Sequence, residues 1–579
     1  MTFASRKFLS SAWPYLASAG LSSIVAATVL RLWQLSHWSL PLQYSGGDYF
    51  FYLTCSKTIR QTGWFFGNPL LGAPGGMNML DYPMCDDLNL LGLKLCNLCA
   101  TNFVTALNLF YFIGFPLAAV TATAALRQLK ISRAASAAAA TLFALSTYHF
   151  FRMQHMFLAF YIMLPPALAI AIRLADGEDF PLGGSTGRRR SIFAALILLA
   201  TVSTGIYYSC FVGFFIALGG GLGALRAGRW NRLSAPAFFL VVLLIGILLN
   251  TAPNLYHRAT AGPNPQADIR LSGESEVYAL RLTYLLMPVV GDRVPGLAGI
   301  TREYDRTVWP SESRYAGVGL LTAAGILILL GVALAGCAGI HVARPLGVLA
   351  AFTVAGILLG TLGGFGAIFA FLVTPMIRSW GRLSICLDFF SLCALAILVD
   401  RFVAAHASRS TGKWAIAALA VLLLAAIYEQ IPGLGIDEPA IAAHWNSDRN
   451  FVGQIESTVG RDAAIFQLPG VAFPEATPYG RMADYDLFRG YFHSDTLKWN
   501  YGAMRGRDNA NRLAAVALHP LPQMISELRD MNFRGIYVDT FCDRPQLPDL
   551  VAQLQVVCGH SPIVSDDGRL LFFPLPSRP

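Results

Sequence analysis

Long apolar runs dominate the chain, and polar residues gather in clusters between them. Eleven runs fall near 13–36, 102–125, 134–150, 157–174, 191–207, 209–225, 234–252, 316–339, 346–373, 383–399 and 414–431. They are rich in Ala, Leu, Ile, Val, Phe and Gly, and at about 18–25 residues they match the length a helix needs to cross roughly 30 Å of hydrocarbon. Only helices or closed barrels satisfy their own backbone there, and runs without a two-residue period predict helices. The pattern therefore predicts a polytopic α-helical membrane protein of about 11 transmembrane helices. The first run is too long for a signal-peptide core and no small-x-small cleavage site follows it, so it reads as a retained span.

Charge then sets a topology. Only 13% of the 579 residues are charged and the mean hydropathy is +0.51, whereas soluble chains are nearer one-quarter charged. The net charge of +9 is concentrated in every second, short connection: Arg6-Lys7, then Arg127, Lys130 and Arg133, then Arg173 with Arg188, Arg189 and Arg190. The series continues with Arg226, Arg229 and Arg232, then Arg344, then Arg401, Arg409 and Lys413. Basic loops stay cytoplasmic, so the N-terminus is expected inside and the C-terminus outside, with no nucleic-acid partner implied. The same rule predicts two spans within 191–225, turning near Thr204-Gly205, because one span would put the flanking basic loops on opposite faces. The ten cysteines show no zinc-type pairing. Cys96 and Cys99 form a CxxC without a βαβ context and are expected in a packed core. Cys542 and Cys558 are open to either reading, a disulfide or two thiols.

Function is expected in what remains outside. A transmembrane part at 1–432 carries large extracytoplasmic loops at 39–101 and 253–315, and residues 433–579 form a soluble extracytoplasmic α/β domain. The spans hold almost no ionisable residues apart from Asp388, which argues against a permease or flippase with its site inside the bundle. In the first loop Gly46-Gly47 permits a sharp turn out of the membrane. From Asp48 to Arg60 the pattern is amphipathic and predicts a helix flat on the bilayer. Asp48 is then either its N-cap or a functional carboxylate. Asp81, Asp86 and Asp87 bring further carboxylates to that surface, where such groups deprotonate a sugar hydroxyl or hold a divalent cation such as Mg or Mn. Solvated loop acids are the plain alternative.

One acidic residue directly after the first span, an interfacial helix and a second acidic cluster resemble the GT-C superfamily of integral-membrane glycosyltransferases. Gly47-Asp48, Gly63-Trp64, Asn68-Pro69, Gly72-Ala73-Pro74 and Asp81-Tyr82-Pro83 also resemble a group of large bacterial membrane proteins classed as sugar transferases or translocases. The likeness extends to Arg152-Met-Gln-His155 and much of the C-terminal domain. It implies a GT-C-like fold in a bacterial inner (plasma) membrane and a polyprenyl-phosphate-linked sugar donor. Inverting transfer to an extracytoplasmic glycan or lipid acceptor follows from the same likeness. Asp48 matches the catalytic base, and Asp86 or Asp87 the second acidic site.

Cationic groups on the outer side fit a donor phosphate. Arg152 and His155 lie between the third and fourth runs, and Arg378 and Arg382 precede the tenth. Snorkelling to lipid phosphates is the alternative for each pair. The mixed-sign loop at 253–315 fits a flap or an ordinary solvated loop, and no role is assigned there. Beyond 432, strands are expected at 463–468 and 534–539, helices at 514–531 and 550–557, and a closing hairpin turning at 566–568. Asp484, Asp486, His493 and Trp499 are expected to bind the acceptor or to close over the first loop, with simple packing as the alternative. The Asp484-Tyr-Asp486 DxD spelling is discounted as a nucleotide-sugar motif because nucleotide sugars are not expected outside. A flippase or export component for a lipid-linked glycan remains the competing reading.

Overall fold

Helix breakers, more than apolar length, decide where elements begin and end in the computed structural model, which describes residues 3–34, 36–181, 185–406, 411–476, 479–543 and 545–576. Arg409 lies outside the described residues, as do the side chains of Arg6, Lys7 and Lys413. Every one of the eleven apolar runs carries a helix. Among the described residues six helices are long and apolar enough to cross a membrane: Ser11–Val29, Phe103–Gln128, Ile206–Ala227, Trp230–Ala261, Leu320–Cys337 and Trp380–Ala405. Where two spans were expected within 191–225, two helices, Ser185–Val202 and Ile206–Ala227, meet at Thr204-Gly205, and the second of them is among these six.

Three runs are cut where the sequence pattern suggested continuity. The run 134–150 ends as the helix Arg133–Ala144, because Ser146 accepts from Tyr148 N and caps a new five-residue turn, Thr147–Phe151. The run 157–174 keeps only Leu164–Ala175, since Pro165 and Pro166 occupy its first turn. Each remaining helix has 12 residues, about 18 Å at 1.5 Å per residue. The irregular chain between them carries Arg152 and His155. The run 346–373 divides into Arg344–Gly360 and Phe365–Leu372. Gly363, at φ 66°, turns the backbone there, and its N–H donates to Glu276 Oε2 at 2.9 Å. The second loop thus docks into the break.

The expected interfacial helix exists as Asp48–Thr62, but it does not lie bare on a bilayer: residues 49–51 and 53–59 are buried. Its cover is the C-terminal region. Lys57 Nζ donates to the carbonyls of Tyr491 (2.7 Å) and Ser494 (2.9 Å), and Asn68 Nδ2 donates to Tyr491 Oη at 2.7 Å. A short ladder of β1 (Gly67–Asn68) with β2 (Met77–Asn78) holds the Gly/Pro-rich stretch, which Trp499 N–H reaches through Leu70 O at 2.8 Å.

Beyond residue 432 a five-stranded sheet has the order β4-β3-β5-β7-β6, with β3 Ala464–Leu468, β4 Lys498–Trp499, β5 Phe533–Asp539, β6 Ile563–Val564 and β7 Leu570–Pro574. The β4, β3 and β5 strands are parallel, and the β6–β7 hairpin adds antiparallel to β5. The expected single helix at 514–531 is two, Asp508–Val516 and Leu521–Asp530, since Pro520 lacks the N–H needed to continue. A long helix, Glu438–Val459, was not anticipated, although Asp437 capping Ala440 N with Pro439 behind it is a helix-start signature. Cys558 is a free, buried thiol, so no Cys542–Cys558 bridge forms; Cys96 is buried as expected for a packed core, but Cys99, at the end of its helix, is exposed.

Candidate active site

The chain leaves the first span region through Gly46 (φ 82°) and Gly47 (φ 72°), conformations that a side chain would strain. Gly46 also needs closeness: a Cβ there would lie 2.6 Å from Asp486 Oδ1. Gly47 is the N-cap and no side chain caps the helix, so the Asp48 carboxylate is not spent on capping. It meets His155 Nε2 at 2.9 Å and keeps 41% of its side chain exposed. Burial pushes this carboxyl up, but the hydrogen bond and charge of His155, with Arg382 and against Glu312, hold it below the usual range. Asp48 is therefore an open, ionised carboxylate.

Two neighbours behave oppositely. Burial raises Asp86 to about 7, with Asp87 adding to the shift and Asn89 Nδ2, donating at 2.9 Å, opposing it. Asp484 also rises to about 7, through burial and then the charge of Asp48, against hydrogen bonds from the N–H groups of Tyr485 (2.9 Å) and Ala476 (3.4 Å). Around neutral pH one carboxylate is charged and two are poised to exchange a proton. Tyr52, one turn along the Asp48 helix, feels both Asp48 and Asp86, and burial drives its hydroxyl well up, so it stays a neutral donor.

Two of the three expected phosphate-binding arginines, Arg152 and Arg382, converge, but on a residue assigned no role above. Glu312 accepts from Arg152 Nη1, from Arg382 Nε at 3.1 Å and from Ser379 Oγ at 2.9 Å. Burial would raise this carboxyl; Arg382, Arg152 and His155 together hold it well below its usual value. Its only sequence signal is an acid directly before an apolar run on the expected outer side. Arg152 is 1% exposed, with Nε and Nη2 lacking partners, so it lies behind the site. Arg382 stands over the Tyr207 ring at 4.4 Å, 14% exposed, and its charge reaches Asp48 and Asp86. Arg378 is paired apart from this group, with Glu274 at 2.5 Å and facing the Tyr278 ring.

Other expected site residues fall elsewhere. Asp87 opens the helix Asp87–Cys99, half-buried, its carboxyl raised by burial. Asp81 is locked by Arg507 (2.7 and 2.5 Å) and Asn264 (3.2 Å), so it does not join the other first-loop carboxylates. Asp486 is 2% exposed and held by Arg489 and Arg569, which leaves no room for direct acceptor contact. Trp499 is fully buried and presents no stacking face to a ligand. His493 is enclosed by Trp445 (ring centroids 4.3 Å apart) and Tyr44 Oη (3.0 Å). Of the four expected acceptor residues only Asp484 adjoins Asp48. Among the described residues no three His, Cys, Asp or Glu side chains converge to hold a metal ion such as the expected divalent cation.

No protein-family model matches the sequence, and no curated protein is significantly similar to it. Among solved structures, ArnT from Cupriavidus metallidurans bound to undecaprenyl phosphate is similar at 12% identity and TM-score 0.51, over 96% of this chain and 98% of that one. The AglB oligosaccharyltransferase from Archaeoglobus fulgidus, in complex with an inhibitory peptide and a dolichol-phosphate, is similar at 11% identity and TM-score 0.48, over 94% of this chain and 71% of that one. The arabinofuranosyltransferase AftD from Mycobacteria is similar at 14% identity and TM-score 0.46, over 98% of this chain and 42% of that one. These are GT-C glycosyltransferases. The likeness to ArnT spans nearly the whole of both chains and is a likeness of fold.

Proposed function

We propose that the protein is a membrane glycosyltransferase that moves a sugar from a polyprenyl-phosphate-linked donor to an extracytoplasmic glycan or lipid, with inversion. The observation that carries this reading is the Asp48 carboxylate, ionised, open, and in one cluster with Arg382 and His155. In the step we infer, an acceptor hydroxyl gives its proton to Asp48 while its oxygen bonds to the anomeric carbon. The bond from that carbon to the phosphate oxygen breaks, and the departing polyprenyl phosphate takes the electron pair. Arg382 and His155 stabilise its growing charge, and Glu312 with Arg152 behind it fixes the guanidinium of Arg382. By acidity alone Asp86 or Asp484 matches a neutral-pH base better; access favours Asp48, and geometry ranks before pKa. ArnT bound to undecaprenyl phosphate on the same fold supports the donor class.

The same reading includes the finer topology: about eleven spans in a bacterial inner membrane, the N-terminus cytoplasmic, and residues 433–579 outside as a lid over the first loop. The test is transfer of radiolabelled sugar from undecaprenyl-phosphate-linked donors into the glycan and lipid fractions of membranes carrying wild type or Asp48→Asn. Transfer should fall by about 10²–10⁴-fold while insertion is unchanged. Undiminished transfer by the variant removes Asp48 from the mechanism.

A further inference from the structure

Beside the carboxylate cluster lies a cavity of about 560 Å3 that none of the site residues above accounts for. It follows β3, through 470–472, and β4, through 500–506, so it opens at the carboxyl ends of two adjacent parallel strands. Open α/β sheets bind ligands at that edge, and about 300–1,000 Å3 is the usual size of a small-molecule site. Its polar lining includes Gln467, Glu475, Asn500, Tyr501, Arg505 and Asn511. These offer amide, hydroxyl and guanidinium groups beside an aromatic ring, with one anion and one cation, so the lining has no net charge. Glu475 is turned to Arg270 Nη2 (2.8 Å) and Tyr82, and Gln467 donates to Leu487 O at 2.6 Å, so the walls are fixed. One lining group has capacity left over: Arg505 Nε is buried without a hydrogen-bond partner. A buried polar atom in that state calls for a ligand or water.

We propose that this cavity is a subsite for a neutral carbohydrate, the acceptor portion of the transfer reaction, a proposal that rests on the glycosyltransferase reading. Hydroxyl-rich neutral rings both donate and accept, which suits amides and a phenol better than it suits an anion. Continuity with the reacting carboxylate supports it: Ala476, in the cavity wall, donates its N–H to Asp484 at 3.4 Å, and Asp484 lies within the electrostatic reach of Asp48. A sugar seated here would present its next unit toward Asp48.

The experiment uses the full chain in lipid nanodiscs on an array of immobilised neutral and uronic-acid-containing oligosaccharides. Wild type should bind neutral members. Asn511→Trp, which fills the cavity from an exposed helix position, should weaken that binding by about tenfold or more. Asn511→Ala should cost about threefold, one hydrogen bond. Asp48→Asn should bind as wild type does. Equal binding by Asn511→Trp, preference for the acidic glycans, or no neutral glycan bound would each overturn the subsite. Transfer by Asp48→Asn reports on the catalytic reading separately, so either idea can fail alone.

Discussion

Two ionic clusters sit within a few residues of each other and teach opposite lessons. Around Asp486 every charge is closed. Asp486 accepts from Arg489 Nε (3.1 Å), Arg569 Nη2 (2.8 Å) and Ala483 N (2.8 Å). Asp539 takes Arg569 at 2.6 Å, and Asp448 takes Arg489 at 3.2 Å and Tyr44 at 2.6 Å. Around Asp48 the accounting stays open: the carboxylate is partly exposed, Arg152 keeps two unpartnered nitrogens, and Asp86 and Asp484 hold protons near neutrality. The same residue types build a lock in one place and a reactive surface in the other. What separates them is residual hydrogen-bonding capacity and access, not the number of charges.

The sharpest way to break that contrast is to remove one charged group from each cluster. Asp48→Asn should lower transfer by about 10²–10⁴-fold, the range of a lost general base, with the unfolding midpoint unchanged. Arg569→Met should do the reverse, costing about 3–5 kcal/mol of stability by stranding buried carboxylates while sparing transfer in the protein that still folds. Parallel thermal-unfolding and transfer measurements decide. If Asp48→Asn destabilises as much as Arg569→Met, both clusters are locks and the catalytic reading is lost. Glu312→Gln should fall between. It leaves Arg382 in place but unanchored, so transfer should drop about 10–100-fold, mostly in kcat, the signature of misplacement rather than lost binding.

Sequence pattern anticipated the element order well because apolar length and turn chemistry are local. The eleven helical runs, the turn at Thr204-Gly205, the Gly46-Gly47 corner and the strands β3 and β5 follow from such signals. The site was legible only in part. Asp48 and His155 were both singled out, yet their 2.9 Å contact joins segments separated by 107 residues, which no spacing rule reaches. Glu312 was passed over because a loop acid reveals its partners only after folding. The Asp484-Tyr-Asp486 spelling hid a division of labour: Tyr485 takes φ 64°, and that kink leaves Asp484 beside Asp48 while turning Asp486 into the lock. Continuous apolarity also outweighed Ser146 and Pro165-Pro166, whose breaks place Arg152 and His155 at the site.

The smallest expected effect is a pH dependence of stability, and its sign separates the clusters. Asp86 and Asp484 are raised to about 7 from an ordinary 3.8, so between those values the folded protein holds protons that the unfolded chain has released. Folding then binds protons, and stability falls as pH rises through this window, levelling above about 7. Asp48 and Glu312 are held low, so their contributions change only below the ordinary carboxyl range and stay constant from pH 5 to 8. Asp86→Asn and Asp484→Asn should therefore flatten the fall of the unfolding midpoint across pH 5–8, each by on the order of 1 kcal/mol once partial exposure is allowed for. Asp48→Asn should flatten that slope only in part, by removing the charge that adds to the rise of Asp484. A slope unchanged by either Asp86→Asn or Asp484→Asn would mean that both are already ionised at pH 5. The Asp48 site would then be surrounded by fixed anions rather than by exchangeable protons.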